Sequence, residues 1–286
     1  MVSVKRILLP LMLLTLAPIS SRSRPATDHL ETSRTSLFAQ GAAQALNQNF
    51  PDPDISFLLV DARSGELLVA RWDRPDVPIP TGSLAKPFAA LAYGGHHDFQ
   101  YPSHTCRGSQ TGCWRPGGHG DVDLVSAIAF SCNSYFRVLT EDLNAADLSR
   151  TAEHFGIEPP DRGAAGMELA GLGPRWRISP LHMARAYLKL LRSRDDPAVS
   201  QILAGMARSA KEGTGAEVDR AIGSGGALVK TGTAACTEAR HAPGDGFAVV
   251  IAPAQQPSIL LMVRVHGVPG SRAARIAGQM VSRIGE

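Results

Sequence analysis

Apolar residues along the chain change their spacing from helical to alternating and back, and those changes divide it into elements. Leu37, Phe38, Ala42, Ala45 and Leu46 share one face of a helix over 36–47. Two strand-like runs follow, 55–61 and 66–72, joined through Ala62-Arg63-Ser64-Gly65, with Gly65 supplying the turn of a β-hairpin. A loop carrying Pro75, Pro78 and Pro80 leads into a helix that begins at or near Ser83 and stops at Gly94-Gly95. Residues 96–120 show no period and predict an irregular loop rich in His, Gly and Cys. Helices are expected over 122–130 (capped by Asp121 or Asp123), 135–143, 145–155, from Ser179-Pro180 onward, and over 198–211. Strand-like runs at 227–232, 246–252 and 258–265 then precede a last helix, 272–284.

The simplest assembly pairs the first hairpin with the last three strands in one antiparallel sheet covered by the terminal helices. The central helices form a second lobe, an α+β arrangement, and the cleft between the lobes is the default site.

The first residues belong to neither lobe. Lys5 and Arg6 precede an apolar run from Ile7 to Ile19, followed by Ser20, Ser21 and Ser23, the pattern of a secretory signal over 1–23. Pro10 and Pro18 and the short run favour removal over membrane anchoring. Residues 24–35 are polar and mixed in charge and are expected to be a tether, leaving 36–286 as one domain. The formal charge of +3 comes from 29 basic and 26 acidic residues, and the signal segment contributes Lys5, Arg6 and Arg22 with no acid. The mature domain is therefore near neutral, and no nucleic-acid partner is expected, since that needs a clustered basic surface.

Three short motifs carry candidate chemistry. Ser83 and Lys86 lie three residues apart at a helix start, so the amine can reach the hydroxyl, and Pro87 requires the helix to begin close to Ser83. Ser131-Cys132-Asn133 interrupts a helical stretch, and Lys230-Thr231-Gly232-Thr233 ends a strand-like run. The chain holds five lysines (Lys5, Lys86, Lys189, Lys211 and Lys230) against 24 arginines. Two of the few lysines therefore fall in these motifs. A desolvated amine can lose its proton and act as a base, which guanidinium does not.

A Ser-x-x-Lys helix start, then Ser-x-Asn, then Lys-Thr-Gly is the trio of the penicillin-recognising serine acyltransferases. Over roughly 36–286 the sequence resembles the transpeptidase domain of penicillin-binding proteins. The likeness extends to Cys113-Trp114 through Gly118-His119-Gly120, to Gly171-Leu172-Gly173, and to Ile178-Ser179-Pro180-Leu181-His182. The resemblance implies a DD-transpeptidase or DD-carboxypeptidase that acts on the D-Ala-D-Ala end of a peptidoglycan stem peptide in the bacterial envelope (secreted or periplasmic). β-Lactam antibiotics would be covalent inhibitors, and membrane association would require an uncleaved N-terminal segment. It implies catalytic roles for Ser83, Lys86, Ser131 and Lys230, and substrate contacts from Asn133, Thr231, Gly232 and Thr233. The backbone N–H groups of Ser83 and Thr233 would form an oxyanion hole. No cofactor and no metal are assigned.

A serine β-lactamase shares the trio but needs a deacylation base, for which a carbamylated Lys86 or Glu168 is a candidate. A penicillin-binding sensor without turnover is a further reading. Four cysteines in an exported chain allow three pairings. A local Cys106–Cys113 disulfide is preferred, ahead of a Cys132–Cys236 bond across the cleft and ahead of a zinc site from His104, Cys106, Cys113 and His119. His96, His97 and His119 are assigned no chemistry.

Overall fold

The computed structural model describes residues 26–223, 225–236 and 244–285. The signal segment expected over 1–23 lies outside the described residues. Among them, no helix is long and apolar enough to cross a membrane.

The architecture is the expected α+β one. Strands β1 (Ile55–Asp61) and β2 (Leu67–Arg71) form the hairpin. They join the last three long strands in a five-stranded antiparallel sheet of order β2-β1-β9-β8-β7. Those last strands are β7 (Leu228–Ala234), β8 (Asp245–Ala252) and β9 (Ile259–Val265). The apolar runs of β8 and β9 follow from this arrangement, because successive side chains point to opposite faces and both faces are covered. Phe247, Val249, Ile251, Leu260 and Met262 pack into the core shared with the helical lobe. Ala248, Val250, Leu261 and Val263 meet the terminal helices α1 (Ala26–Asn49) and α9 (Gly270–Ile284) through Leu46, Ala273, Ala277 and Met280.

Helix α1 differs from expectation: the supposed tether is helical from Ala26 onward. Mixed charge does not stop a helix, and no glycine or proline interrupts the chain between Ala26 and Ser36.

Helix α2 (Lys86–Gly94) carries the lysine of the first motif. The second lobe adds α3 (Leu124–Ala129), α4 (Asn133–Glu141), α5 (Ala145–Phe155), α6 (Pro180–Arg192), α7 (Pro197–Glu212) and α8 (Ala216–Ile222). Asp123, Asn144, Ser179 and Asp196 cap α3, α5, α6 and α7 through their side chains, satisfying first-turn N–H groups. Two small ladders were not anticipated: β3 (Ile79–Pro80) with β6 (Arg177–Ile178), and β4 (His104–Cys106) with β5 (Gly120–Val122). Strands this short show no alternation in sequence, so only tertiary pairing reveals them. The second ladder gives the loop expected to be irregular a hairpin base.

Leu261 is fully buried on the central strand, against the terminal helices. Leu261→Ala is expected to lower the unfolding free energy by about 2–5 kcal/mol, read from the urea midpoint at unchanged slope.

Candidate active site

Ser83 sits on a 3-10 turn, Gly82–Ala85, which runs directly into α2. Pro87 falls in the first turn of α2, where its missing N–H costs nothing. The buried Tyr187 of α6 donates to the Leu84 carbonyl at 2.8 Å and ties this turn to the helical lobe. The opposite side of the turn rests on β7, and the contact is backbone on backbone. A Cβ at Gly232 would lie 2.5 Å from the Thr81 carbonyl oxygen, and one at Gly82 (φ +58°) would lie 2.3 Å from that of Thr233. Only glycine permits this approach, which brings the third motif beside Ser83.

The second motif occupies the break between α3 and α4. Ser131 takes φ +50°, a left-handed conformation that is unusual for a side chain other than Asn or Asp. Such strain persists where surrounding contacts determine it, and here they involve two lysines. Lys86 Nζ donates to the Ser131 carbonyl oxygen (2.7 Å), to Ser131 Oγ (3.3 Å) and to Asn133 Oδ1 (2.7 Å). Lys230 Nζ donates to Ser131 Oγ from the other side at 3.1 Å and to the Thr231 carbonyl oxygen at 2.7 Å. Both lysines are 0% exposed. Burial lowers the Lys86 amine to about 7, opposed by the neighbouring thiols of Cys132 and Cys113. Burial, then repulsion from Lys86, holds the Lys230 amine well below its ordinary value. Two amines sharing one hydroxyl in a dry site cannot both keep a proton cheaply.

Ser83, Ser131, Asn133, Thr231, Gly232 and Thr233 all line one open cleft. Lys86 and Lys230 lie beneath its floor. One expected contact is missing among the described residues: no hydrogen bond joins Lys86 Nζ to Ser83 Oγ, and the contacts of the amine are with the second motif. With its oxygen held by Lys86, the Asn133 carboxamide has its NH2 group left to donate. Thr233 Oγ1 accepts from the Gly270 N–H at the start of α9, at 2.9 Å.

The cleft also contains residues that sequence reasoning missed. Trp114, 54% exposed, donates its indole N–H to the carbonyl oxygens of Phe130 and Ser131, both at 3.2 Å, and forms one wall. Thr214, after α7, accepts from the Thr231 hydroxyl at 2.6 Å. Neither carries a motif of its own; the proximity of Trp114 to Cys113 was the nearest signal. Glu168 does not line the cleft: its carboxylate takes the Ala165 N–H at 3.4 Å and faces Arg175 at 3.8 Å.

The cysteines depart from the expected pairings. No disulfide joins any of the four. Cys132 faces Cys113, while Cys236 lies against His266, so the proposed Cys132–Cys236 bond is absent. His104 is turned to Ser134 Oγ at 2.6 Å, away from the cysteines.

The Transpeptidase family, described as the penicillin binding protein transpeptidase domain, matches residues 55–285. The chain belongs to that family. Among solved structures it resembles penicillin-binding protein PBP2 of Helicobacter pylori in complex with MreC, at 16% identity and TM-score 0.71, covering 84% of this chain and 62% of that one. PBP2 of Pseudomonas aeruginosa in complex with WCK 5153 matches at 18% identity and TM-score 0.68, over 88% of this chain and 73% of that one. PBPA of Mycobacterium tuberculosis matches at 16% identity and TM-score 0.66, over 87% of this chain and 79% of that one. These likenesses are of fold, and the chain spans less than two thirds of the Helicobacter protein. No curated protein matches it in sequence.

The close approach at Gly232 gives a direct test of the site as a penicillin-binding cleft. Gly232→Ala forces β7 away from the Ser83 turn, and is expected to slow labelling by a fluorescent penicillin roughly a hundredfold, with the far-ultraviolet circular dichroism unchanged.

Proposed function

We propose that the protein is a serine acyltransferase of peptidoglycan synthesis in the bacterial envelope, acting on D-Ala-D-Ala peptides through an ester on Ser83. The observation that carries this reading is the Ser131 hydroxyl held between two desolvated lysine amines, beside a serine that opens onto a cleft.

In the proposed reaction Ser83 Oγ attacks the carbonyl carbon of the penultimate D-Ala. A C–O bond forms, the Ser83 proton passes to neutral Lys86, and the carbonyl electrons move to its oxygen. The N–H groups of Ser83 and Thr233 stabilise that oxyanion, a contribution of a few kcal/mol in characterised hydrolases. As the carbonyl re-forms, the C–N bond breaks and the terminal D-Ala leaves as an amine, taking a proton through Ser131. The Lys86–Ser131–Lys230 contacts form a continuous path for that proton. An incoming carboxylate on Thr231, Thr233 and Lys230 restores the charge that burial denies Lys230. Asn133 donates its NH2 group to the substrate backbone. The amide bond of a β-lactam ring enters the same first step.

The acceptor that collects the acyl group, amine or water, distinguishes a transpeptidase from a carboxypeptidase. A β-lactamase also requires a base to activate water. Among the described residues no carboxylate side chain lines the cleft and Glu168 is engaged elsewhere, which leaves a carbamylated Lys86 as the candidate base for that activity.

Fluorescent penicillin is expected to label the wild-type chain covalently and Ser83→Ala not at all; undiminished labelling of the variant would remove Ser83 as nucleophile. The acylation rate is expected to rise with pH through about 7, where Lys86 loses its proton, and to level off above it. A rate independent of pH across that range would exclude Lys86 as the base.

A further inference from the structure

Directly behind the second motif, three thiols and one imidazole converge. The sulfurs of Cys106, Cys113 and Cys132 and a ring nitrogen of His119 all lie within 4.8 Å of one another. Cys113 Sγ is 3.9 Å from Cys132 Sγ, and His119 Nδ1 is 3.5 Å from the sulfurs of both Cys106 and Cys113. A disulfide needs sulfurs about 2.05 Å apart. A tetrahedral zinc ion, with Zn–S of about 2.3 Å and Zn–N of about 2.0–2.1 Å, separates its sulfurs by about 3.8 Å and sulfur from nitrogen by about 3.5 Å. The Cys113–Cys132 spacing and the two His119 spacings are those of the second arrangement.

The fold builds this cluster from two directions. Cys106 ends β4 opposite Gly120, and the hairpin loop between β4 and β5 carries Cys113 and His119. That loop is closed by backbone bonds from Cys113 N–H to the Gly108 carbonyl oxygen (2.9 Å) and from Ser109 N–H to that of Pro116 (3.2 Å). The His119 ring is stacked on Phe130 and edge-on to Trp114, each at 5.5 Å between centroids. Cys132 comes from the other direction, at the N-terminus of α4. All three cysteines are buried.

We propose that Cys106, Cys113, His119 and Cys132 hold one zinc ion in a closed four-ligand site that clamps the hairpin loop to the second motif. The donor set of three soft sulfurs and an imidazole selects zinc over hard cations. Four protein ligands leave no open position, so the ion is structural and activates no water. Its functional weight comes from Cys132. This residue lies between Ser131, whose backbone is strained, and Asn133, so the ion fixes the turn that holds Ser131 Oγ between the lysines. The metal site stands on its own geometry; only its effect on acylation rests on the function proposed above.

The test uses the full chain purified without chelators and analysed for metal by plasma mass spectrometry. One zinc per chain is expected, lost in Cys113→Ala and His119→Ala and kept in Cys236→Ala and Ser83→Ala. Cobalt exchanged into the wild-type chain is expected to show a thiolate charge-transfer band and the visible bands of tetrahedral coordination. Stripping the ion from folded wild-type chain with a chelator is expected to slow penicillin labelling roughly tenfold or more, and added zinc to restore it. A wild-type chain that holds no zinc even after reconstitution overturns the proposal, as does a disulfide between any of the three cysteines found by peptide mapping. Ser83→Ala separates the two claims: if it keeps zinc yet still takes the label, the nucleophile assignment fails and the metal site survives.

Discussion

The structure turns on one costly arrangement, the burial of two lysine amines around a single serine hydroxyl. An amine withdrawn from water loses hydration that hydrogen bonds replace only if the geometry is fixed. Here it is fixed by three oxygens around Lys86 and two around Lys230. The same burial lowers both amines toward neutrality, Lys86 to about 7. Groups displaced this far from their ordinary protonation mark a candidate functional site.

Much of the surrounding architecture maintains that arrangement. The sheet presents Lys230 on β7, packed backbone-to-backbone on the Ser83 turn through glycine contacts. Tyr187 holds the turn from the helical lobe, and the left-handed Ser131 aims its hydroxyl into the gap between the lysines. The Trp114 indole and the Lys86 amine both donate to the Ser131 carbonyl oxygen. The second motif is thus restrained at its side chain and at its backbone. The cysteine–histidine cluster behind it adds a third restraint at the next residue.

The sheet and its long helices were legible because their signals are local. The apolar runs of β1, β8 and β9 follow from burying both faces, and Asp123 and Ser179-Pro180 mark helix starts. Three features were not legible. The helix from Ala26 was hidden by charges that helices tolerate, and β4 and β5 by strands of three residues each. The partner of Cys132 was hidden by distance along the chain. Cys106 and Cys113 look like a disulfide in sequence because they share one loop, and spacing offered His104 where the fold brings Cys132.

The sequence by itself determined the motifs, the order of elements and the choice of lysine over arginine at two positions, since each is a matter of residue type and neighbouring residues. Tertiary structure alone decided that Lys86 reaches Ser131 and Asn133 and makes no bond to Ser83, that Glu168 turns away from the cleft, and that Cys132 joins the hairpin thiols. These outcomes depend on which parts of the chain compete for the same donors and the same space. That competition exists only once helices α2 and α4, the hairpin loop and strand β7 have packed together.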